Sequence, residues 1–221
     1  MNNNLIVAIK SCNEHMALGH HNAVRETWGK DFPGGTVKFF VGGGTGKTES
    51  DEIRLDCPDD YNSLPKKTRA ICAWAASKVA SHIFVCDTDT FVMPSKLLAC
   101  GYQDYDYAGK IDREFGKTFP YVSVSREGES LFQPKVWPWA SGGFGYFLSK
   151  KAINTIAYTE PTGWAEDMWV ASVLGPYYNT GEITMLQIPG GTVSDHFPAH
   201  QFKRGYDLKF GWMHQKYAEQ K

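Results

Sequence analysis

Ser81-His-Ile-Phe-Val-Cys-Asp-Thr-Asp-Thr-Phe-Val-Met93 is the stretch of this sequence that says most about its architecture. Its short apolar run, Ile83 to Cys86, has the composition of a buried strand. Two carboxylates, Asp87 and Asp89, follow at the C-terminal end of that run. In an open α/β sheet, ligands bind beyond the carboxyl ends of the strands. Two hard oxygen ligands there suit Mg²⁺ or Mn²⁺ carried by a substrate phosphate, although an Asp-x-Asp also occurs in ordinary solvated turns.

The residues before this stretch alternate between strand-like and helix-like segments. Leu5–Ile9 and Val37–Val41 are apolar runs that predict buried strands. Asn22–Lys30 predicts a short helix that ends at its glycine. Lys66–Ser81 predicts an α-helix, because its apolar residues recur at i, i+3, i+4 and i+8. This alternation is typical of a parallel sheet with crossover helices, as in a nucleotide-binding half of Rossmann type.

The second half of the chain has a different organisation. A long polar and aromatic stretch extends to Val136. After it, Lys150–Tyr158 predicts one helix, and Glu166–Leu174 begins another with two acids in its first turn, where the helix dipole favours them. Met185–His200 predicts a strand followed by a loop, and Glu49–Asp60, in the first half, predicts a short helix or a loop.

Length and composition limit the classes of protein to consider. A chain of 221 residues suits one domain with a full hydrophobic core. Its 23 basic and 24 acidic side chains leave a net charge of -1, which disfavours nucleic acid and anionic membranes as partners. Five widely spaced cysteines without a C-x-x-C pair favour free thiols. The sequence shows no signal peptide or transmembrane run, so we expect a cytoplasmic protein if the chain is complete.

The glycine run Gly42–Thr48 invites comparison with a phosphate-binding P-loop. The Walker pattern requires a glycine five positions before the glycine of Gly-Lys-Thr. Counting back from Gly46 gives Val41, the last residue of the predicted strand. We therefore expect a flexible strand-to-helix connection here and keep nucleotide hydrolysis only as a minor alternative.

Six blocks stand out along the chain, in this order: Val24-Arg-Glu-Thr-Trp28, Asp56-Cys-Pro-Asp-Asp-Tyr-Asn-Ser-Leu-Pro-Lys-Lys-Thr68, Asp87-Thr-Asp-Thr-Phe91, Trp137-Pro-Trp-Ala-Ser-Gly-Gly143 with Leu148-Ser149, Glu166-Asp167, and Val193-Ser-Asp-His196. In this order they resemble the motifs of the fringe and β-1,3-galactosyltransferase family of inverting glycosyltransferases. The chain departs from that family at Thr88, where an aspartate is usual, and at Pro65, where a threonine is usual. It also lacks the membrane anchor and paired luminal cysteines, so we expect a bacterial or viral relative.

The resemblance implies a single α/β domain over residues 1–221, of the GT-A (Rossmann-like) type, with a mixed, mostly parallel sheet flanked by helices. Residues 1–93 would bind the nucleotide, and residues 94–221 would bind the acceptor and carry the catalytic group. The implied reaction is metal-dependent, inverting transfer of a sugar from a UDP-sugar to a hydroxyl of a glycan or glycoconjugate, forming a β-1,3 linkage with Mn²⁺ or Mg²⁺ as cofactor. The alternative is a non-catalytic sugar-nucleotide or glycan-binding module on the same fold.

For the metal, the resemblance implies Asp89 as a direct ligand, Asp87 on the metal or the donor ribose, and His196 as the residue that completes the set. His200 and His214 are lesser candidates for the same place. Without the resemblance, the favoured interpretation of His196 is a surface histidine in a loop flanked by proline and glycine.

For catalysis, the resemblance implies Asp167 as the general base. On the residues alone, a carboxylate there is a helix cap or a partner of the helix dipole. Glu166 is then a neighbour that orients the loop or binds the acceptor. A sugar pocket, or alternatively a glycine-rich turn beside a buried tryptophan, is expected from Trp139, Ser141, Gly142 and Gly143.

For the donor, two cations and two residues after the first strand are the candidates. Arg25 and Lys67 each contact the pyrophosphate or make an ordinary salt bridge. Lys10 and Ser11 lie where the uridine is expected. The resemblance adds two further donor-binding positions, Asp59 and Thr88.

Overall fold

The secondary structure is known for most of the chain. The computed structural model describes residues 5–30, 32, 36–111, 113–124 and 130–196. The strands are β1 (Leu5–Ser11), β2 (Thr36–Val41), β3 (Glu52–Arg54), β4 (His82–Asp87), β5 (Thr90–Val92), β6 (Tyr107–Gly109), β7 (Phe119–Val124), β8 (Ser130–Val136), β9 (Tyr146–Ser149), β10 (Met185–Gln187) and β11 (Ser194–His196). The helices are α1 (Asn13–Ala17), α2 (His20–Glu26), α3 (Leu64–Ala76), α4 (Pro94–Ala99), α5 (Lys150–Ala157) and α6 (Glu166–Asn179).

Seven of these strands form the central sheet, in the order β10-β6-β9-β4-β1-β2-β3. β1 pairs in parallel with both β2 and β4, β2 pairs in parallel with β3, and β6 with β10. Only β9 runs the other way, between β4 and β6. The predicted α/β fold with a mixed, mostly parallel sheet is therefore confirmed.

The sheet is apolar on both faces, because helices cover both. All seven residues of β1 are buried. Ile6 and Ala8 belong to the core on one face, together with Ile71 of α3. Val7 and Ile9 belong to the core on the other face. A parallel strand covered on both sides has a continuous apolar run rather than an alternating one, and this is why β1 and β4 could be predicted from the sequence.

Two small ribbons extend the domain beyond the sheet. β5 pairs antiparallel with β11, which sets His196 opposite Thr90. β7 and β8 form a hairpin within the stretch that the sequence leaves without predicted structure. Both ribbons lie in the chain close to the carboxyl ends of sheet strands, where ligands of open α/β folds bind.

Several element boundaries differ from the predictions. The segment Glu49–Asp60, predicted as a short helix or a loop, contains a strand, β3, because three residues at the sheet edge pair with β2. The glycine run Gly42–Thr48 consequently leads into a strand, whereas a P-loop requires a helix at that point. The predicted helix Lys66–Ser81 begins at Leu64 and ends at Ala76, and Asn22–Lys30 is helical only to Glu26.

Two further properties can be read from the structure. All five cysteines are free thiols, as the sequence predicts. Within the described ranges, no helix combines the length and apolar character that crossing a membrane requires.

Candidate active site

The ends of β1 and β4 bring the first two candidate residues together. Because these strands are parallel neighbours, Lys10 and Asp87 are paired in register. The Lys10 Nζ lies 3.3 Å from Asp87 Oδ1 and 2.6 Å from Glu166 Oε2. Burial alone would lower the pKa of Lys10, but the charges of Asp87, Glu166 and Asp167 outweigh burial and raise it above its usual value. Lys10 is therefore a charged ammonium among carboxylates.

Asp87 ends β4, and Asp89 lies in the turn that joins β4 to β5. The Thr90 hydroxyl accepts a hydrogen bond from Asp87 N at 3.2 Å and donates to Gly143 O at 2.8 Å. It thereby joins the turn to Ser141–Gly143, called the glycine segment below. The Asp87 side chain is about one-third exposed, at 32%, whereas Asp89 is buried. Asp87 is thus the more accessible of the two carboxylates.

Thr88 faces the interior between these two aspartates. Its hydroxyl lies 2.8 Å from His15 Nδ1 and 3.1 Å from His20 Nδ1, and the residue is buried. The His15 and His20 rings stack with centroids 4.6 Å apart. At this position the side chain packs against histidines, so an aspartate is not needed for the turn to form.

The structure describes the side chains of only some of the candidate metal ligands. The backbone of His196 pairs with Thr90, whereas its side chain lies outside the described residues, as do His200 and His214. In the described part of the chain, no three His, Cys, Asp or Glu side chains form a metal cluster. Asp87 and Asp89 nevertheless fit an ion such as Mn²⁺ or Mg²⁺, because such ions are commonly held by one or two carboxylates plus substrate phosphates.

Asp167 lies in the first turn of α6 and is partly buried. Its Oδ2 accepts a hydrogen bond from Gly142 N at 3.2 Å, and its Oδ1 accepts one from Met168 N at 2.9 Å. Burial, with the charge of Glu166 added, raises the pKa of Asp167 to about 6. A carboxylate with a pKa near neutrality has the properties of a general base.

Glu166 is buried among three hydrogen-bond donors. Its carboxylate is buried and accepts hydrogen bonds from Lys10 Nζ at 2.6 Å, Thr68 Oγ1 at 3.1 Å and the Tyr146 hydroxyl. The sequence analysis assigned no role to Tyr146 or Thr68. Tyr146 lies within the apolar strand β9. A buried tyrosine hydroxyl usually has a hydrogen-bond partner, so this residue is the one signal in the sequence for a buried polar group nearby.

Lys67 and Asp59 clamp two loops together. The Lys67 ammonium is buried and donates to Ser11 O and to Asp59 Oδ1, the latter at 2.9 Å. Asp59 also accepts from Gly42 N at 2.8 Å and from both Asn13 N and Asn13 Nδ2, at 2.7 and 2.8 Å. These partners occupy both carboxylate oxygens, so this pair makes the salt bridge that was one of the two interpretations of Lys67.

Arg25 also makes a salt bridge. Its guanidinium binds Asp51 at 2.9 and 2.6 Å and Glu52 Oε1 at 2.9 Å. Glu52 in turn lies 2.7 Å from His21 Nδ1, and His21 Nε2 lies 2.7 Å from Ser11 Oγ. Burial lowers the pKa of His21, so the neutral ring donates to Glu52 and accepts from Ser11. This series of hydrogen bonds, which the sequence did not predict, holds the Ser11 hydroxyl in place.

Gly142 lies against the two carboxylates at the start of α6, and Trp139 belongs to a nearby aromatic group. A Cβ at Gly142 would lie 3.2 Å from Glu166 Oε2 and 3.7 Å from Asp167 Oδ2, so only glycine leaves the space beside these carboxylates open. The Trp139 ring stacks on Phe119 with centroids 5.8 Å apart and meets Tyr121 edge-on at 5.1 Å. All three aromatic residues are partly exposed.

The position of Trp139 along α6 follows from its neighbours. The Trp137 ring packs against Gly175, where a Cβ would come within 2.4 Å of it, and Gly142 N contacts Asp167. Eight helical residues between Gly175 and Asp167 span about 12 Å. The segment between Trp137 and Gly142, which includes Trp139, thus runs along α6 toward Asp167.

The comparison with protein families adds evidence that geometry alone does not supply. The sequence model of the Galactosyltransferase family matches residues 20–178. This chain belongs to the galactosyltransferase family. The matched range includes the Asp87–Asp89 turn, the glycine segment and Asp167. Family membership supports glycosyltransferase activity, in agreement with the resemblance found in the sequence.

Comparisons with curated proteins and solved structures are less informative. No curated protein matches the sequence. The fold is similar to HddC from Yersinia pseudotuberculosis, with a TM-score of 0.46, 10% identity and coverage of 90% of this chain and 96% of that one. It is also similar to the inositol-1-phosphate CTP transferase from T. maritima (0.45, 13%, 94% and 94%) and to 2-C-methyl-D-erythritol 4-phosphate cytidylyltransferase from Thermus thermophilus (0.46, 11%, 92% and 96%).

Proposed function

We propose that this galactosyltransferase-family protein transfers a sugar from a UDP-sugar to a glycan hydroxyl, with inversion and formation of a β-1,3 linkage. The observation that carries the proposal is the environment of Asp167, the proposed base. Asp167 is a carboxylate with a pKa of about 6, held beside the glycine segment by Gly142 N. The carboxylates expected to hold the donor lie in the Asp87–Asp89 turn, which Lys10 joins to the same helix end.

The chemistry assigned to Asp167 is one proton transfer. Its carboxylate takes the proton from the acceptor hydroxyl as the oxygen attacks the anomeric carbon of the donor sugar. The bond between that carbon and the diphosphate oxygen breaks, and UDP leaves with the bonding electrons. A single displacement from the opposite face inverts the configuration. Asp87 and Glu166, the residue before Asp167, both contact the Lys10 ammonium, which supports a fixed relation between the proposed donor turn and the proposed base.

Asp89 and Asp87 would hold Mn²⁺ or Mg²⁺, with His196 proposed as a third ligand. When bound, the ion neutralises the charge that develops on the leaving diphosphate. The protein's own contribution is to keep Asp87 in place through Lys10 and through the Thr90 hydroxyl bound to Asp87 N. The donor sugar itself is not assigned.

A transfer assay tests the proposal. Purified protein is incubated with UDP-galactose, UDP-N-acetylglucosamine or UDP-glucose, Mn²⁺ and a set of glycoside acceptors, and the product is analysed by NMR. The proposal predicts a β-linked product at the 3-hydroxyl. A product with retained α configuration would contradict inversion, and UDP binding without any product would favour the non-catalytic binding module instead.

The pKa of Asp167 predicts a pH dependence. The base must be ionised, so kcat/KM for the acceptor is expected to fall about tenfold per pH unit below about pH 6, where Asp167 becomes protonated. The measurement is the initial rate from about pH 4.5 to 8 at saturating donor. A rate that stays constant down to the lower limit would exclude Asp167 as the titrating base.

The aromatic group around Trp139 predicts where the acceptor binds. Trp139→Ala removes the ring that stacks on Phe119, and we expect the acceptor KM to rise roughly fivefold, since one stacked ring contributes on the order of 1 kcal/mol. The donor KM should stay constant. Tyr158→Ala is the control, because Tyr158 is an exposed aromatic side chain that follows α5. An unchanged acceptor KM in Trp139→Ala would place the acceptor elsewhere.

A further inference from the structure

Lys10 occupies a place that the donor-binding interpretation does not explain. It is buried, with 2% of its side chain exposed, and its ammonium faces two carboxylates that come from distant parts of the chain. Glu166 is 156 residues away in sequence and belongs to α6, whereas Asp87 belongs to β4. Lys10 therefore joins the donor turn to the helix end that carries the base.

The remaining partners of Glu166 make this connection rigid. Thr68 from α3 and Tyr146 from β9 donate to Glu166 Oε1, while Lys10 binds Oε2. The carboxylate is thus held by donors from three different elements. Its neighbour Asp167 has its position fixed through the same helix turn. A displacement of Lys10 would therefore change the positions of both Asp87 and Asp167.

We propose that Lys10 is a positioning residue: it holds Asp87 of the donor turn and the Glu166–Asp167 helix end in a fixed relation, so that the bound donor and the base are aligned. The proposal rests on the proposed function and deepens it. Lys10 acts through these two carboxylates and not by binding the diphosphate, because its buried ammonium is already directed at them. Misalignment by about 1 Å is enough to reduce catalysis about 100-fold.

The test compares catalysis with stability in two variants. Lys10→Met keeps an unbranched side chain as far as the ε carbon, removes the ammonium and leaves Glu166 buried without its cation, so both kcat and Tm should fall. Adding Glu166→Gln removes the uncompensated buried charge, and Tm should recover toward that of the wild type. Because Asp87 is still released, kcat in the double variant should remain about 100-fold below the wild type, with the acceptor KM unchanged.

A merely structural role gives a different result. In that case kcat would recover together with Tm in the double variant, and the proposal would be overturned. If Lys10→Met alone does not fold, the uncharged double variant carries the comparison by itself. Lys150→Met is a matched control: this lysine also ties elements together, through Ala76 O at 2.6 Å and Lys78 O at 2.8 Å. It should lower Tm and leave kcat unchanged.

UDP binding and sugar transfer by the wild-type protein distinguish a failure of the Lys10 proposal from a failure of the proposed function. A wild-type protein that transfers sugar, together with a double variant that does so at full rate, contradicts the role of Lys10 alone. A wild-type protein that neither binds UDP nor transfers sugar contradicts the proposed function, whatever the stability of the variants.

Discussion

Asp167→Asn is expected to reduce transfer at least about 1,000-fold, because asparagine cannot take a proton from the acceptor hydroxyl and general-base catalysis contributes 10²–10⁴-fold. The change is nearly isosteric, and an amide oxygen can still accept the hydrogen bond from Gly142 N. The measurement is kcat with donor and acceptor at saturation. Residual activity above about a tenth of the wild-type value would exclude Asp167 as the base.

The Tm of Asp167→Asn distinguishes the loss of a base from a folding defect, because a folding defect would lower Tm. Burial and Glu166 raise the pKa of Asp167, so its ionised form destabilises the folded state above about pH 6, relative to the unfolded chain. Asparagine removes this charge, and Tm at neutral pH should equal or exceed that of the wild type. Glu160→Gln is the control, because Glu160 is an exposed carboxylate paired with Arg69 on the surface. It should change neither rate nor Tm.

Asp89→Ala is expected to have the second largest effect. If Asp89 is a direct ligand, its loss should cost more than the 10–100-fold in metal affinity that follows from losing a supporting hydrogen-bond partner. The transfer rate is measured as a function of Mn²⁺ concentration. The variant should require more than about 100 times as much Mn²⁺ for half-maximal rate, or show no activity at any concentration.

The control for Asp89→Ala is another aspartate in a short turn. Asp104 is exposed in the 3-10 turn Tyr102–Asp104, and Asp104→Ala should retain the Mn²⁺ dependence of the wild type. A wild-type Mn²⁺ dependence in Asp89→Ala itself would show that the turn after β4 does not hold the metal. The donor would then be bound by another set of residues.

The parts of the fold that could be predicted are those with a strong local signal. β1, β2 and β4 are apolar runs buried on both faces, and α3 has a clear helical period. β3 was missed because three residues inside a polar segment become a strand only by pairing with β2. The reversed strand β9 could not be foreseen, since its direction depends on both of its neighbours and not on its own residues.

The candidate site divides in the same way. The positions of Asp87 and Asp167 follow from local rules, because one ends a buried strand and the other begins a helix. The partners of Lys10, Lys67 and Arg25 do not, because each is paired with residues distant in sequence. A lysine that binds a phosphate and one that clamps two loops look the same in a sequence. Only the tertiary structure distinguishes them.

The proposed function depends on the Asp87–Asp89 turn binding a UDP-sugar through a divalent metal. Calorimetric titration of UDP into the wild-type protein, with Mn²⁺ and again with a chelator, tests it most directly. We expect one binding site in the presence of Mn²⁺ and no measurable binding with the chelator. Equal binding in both conditions would contradict the metal-dependent donor site, and an absence of binding in both would contradict the UDP-sugar transferase itself.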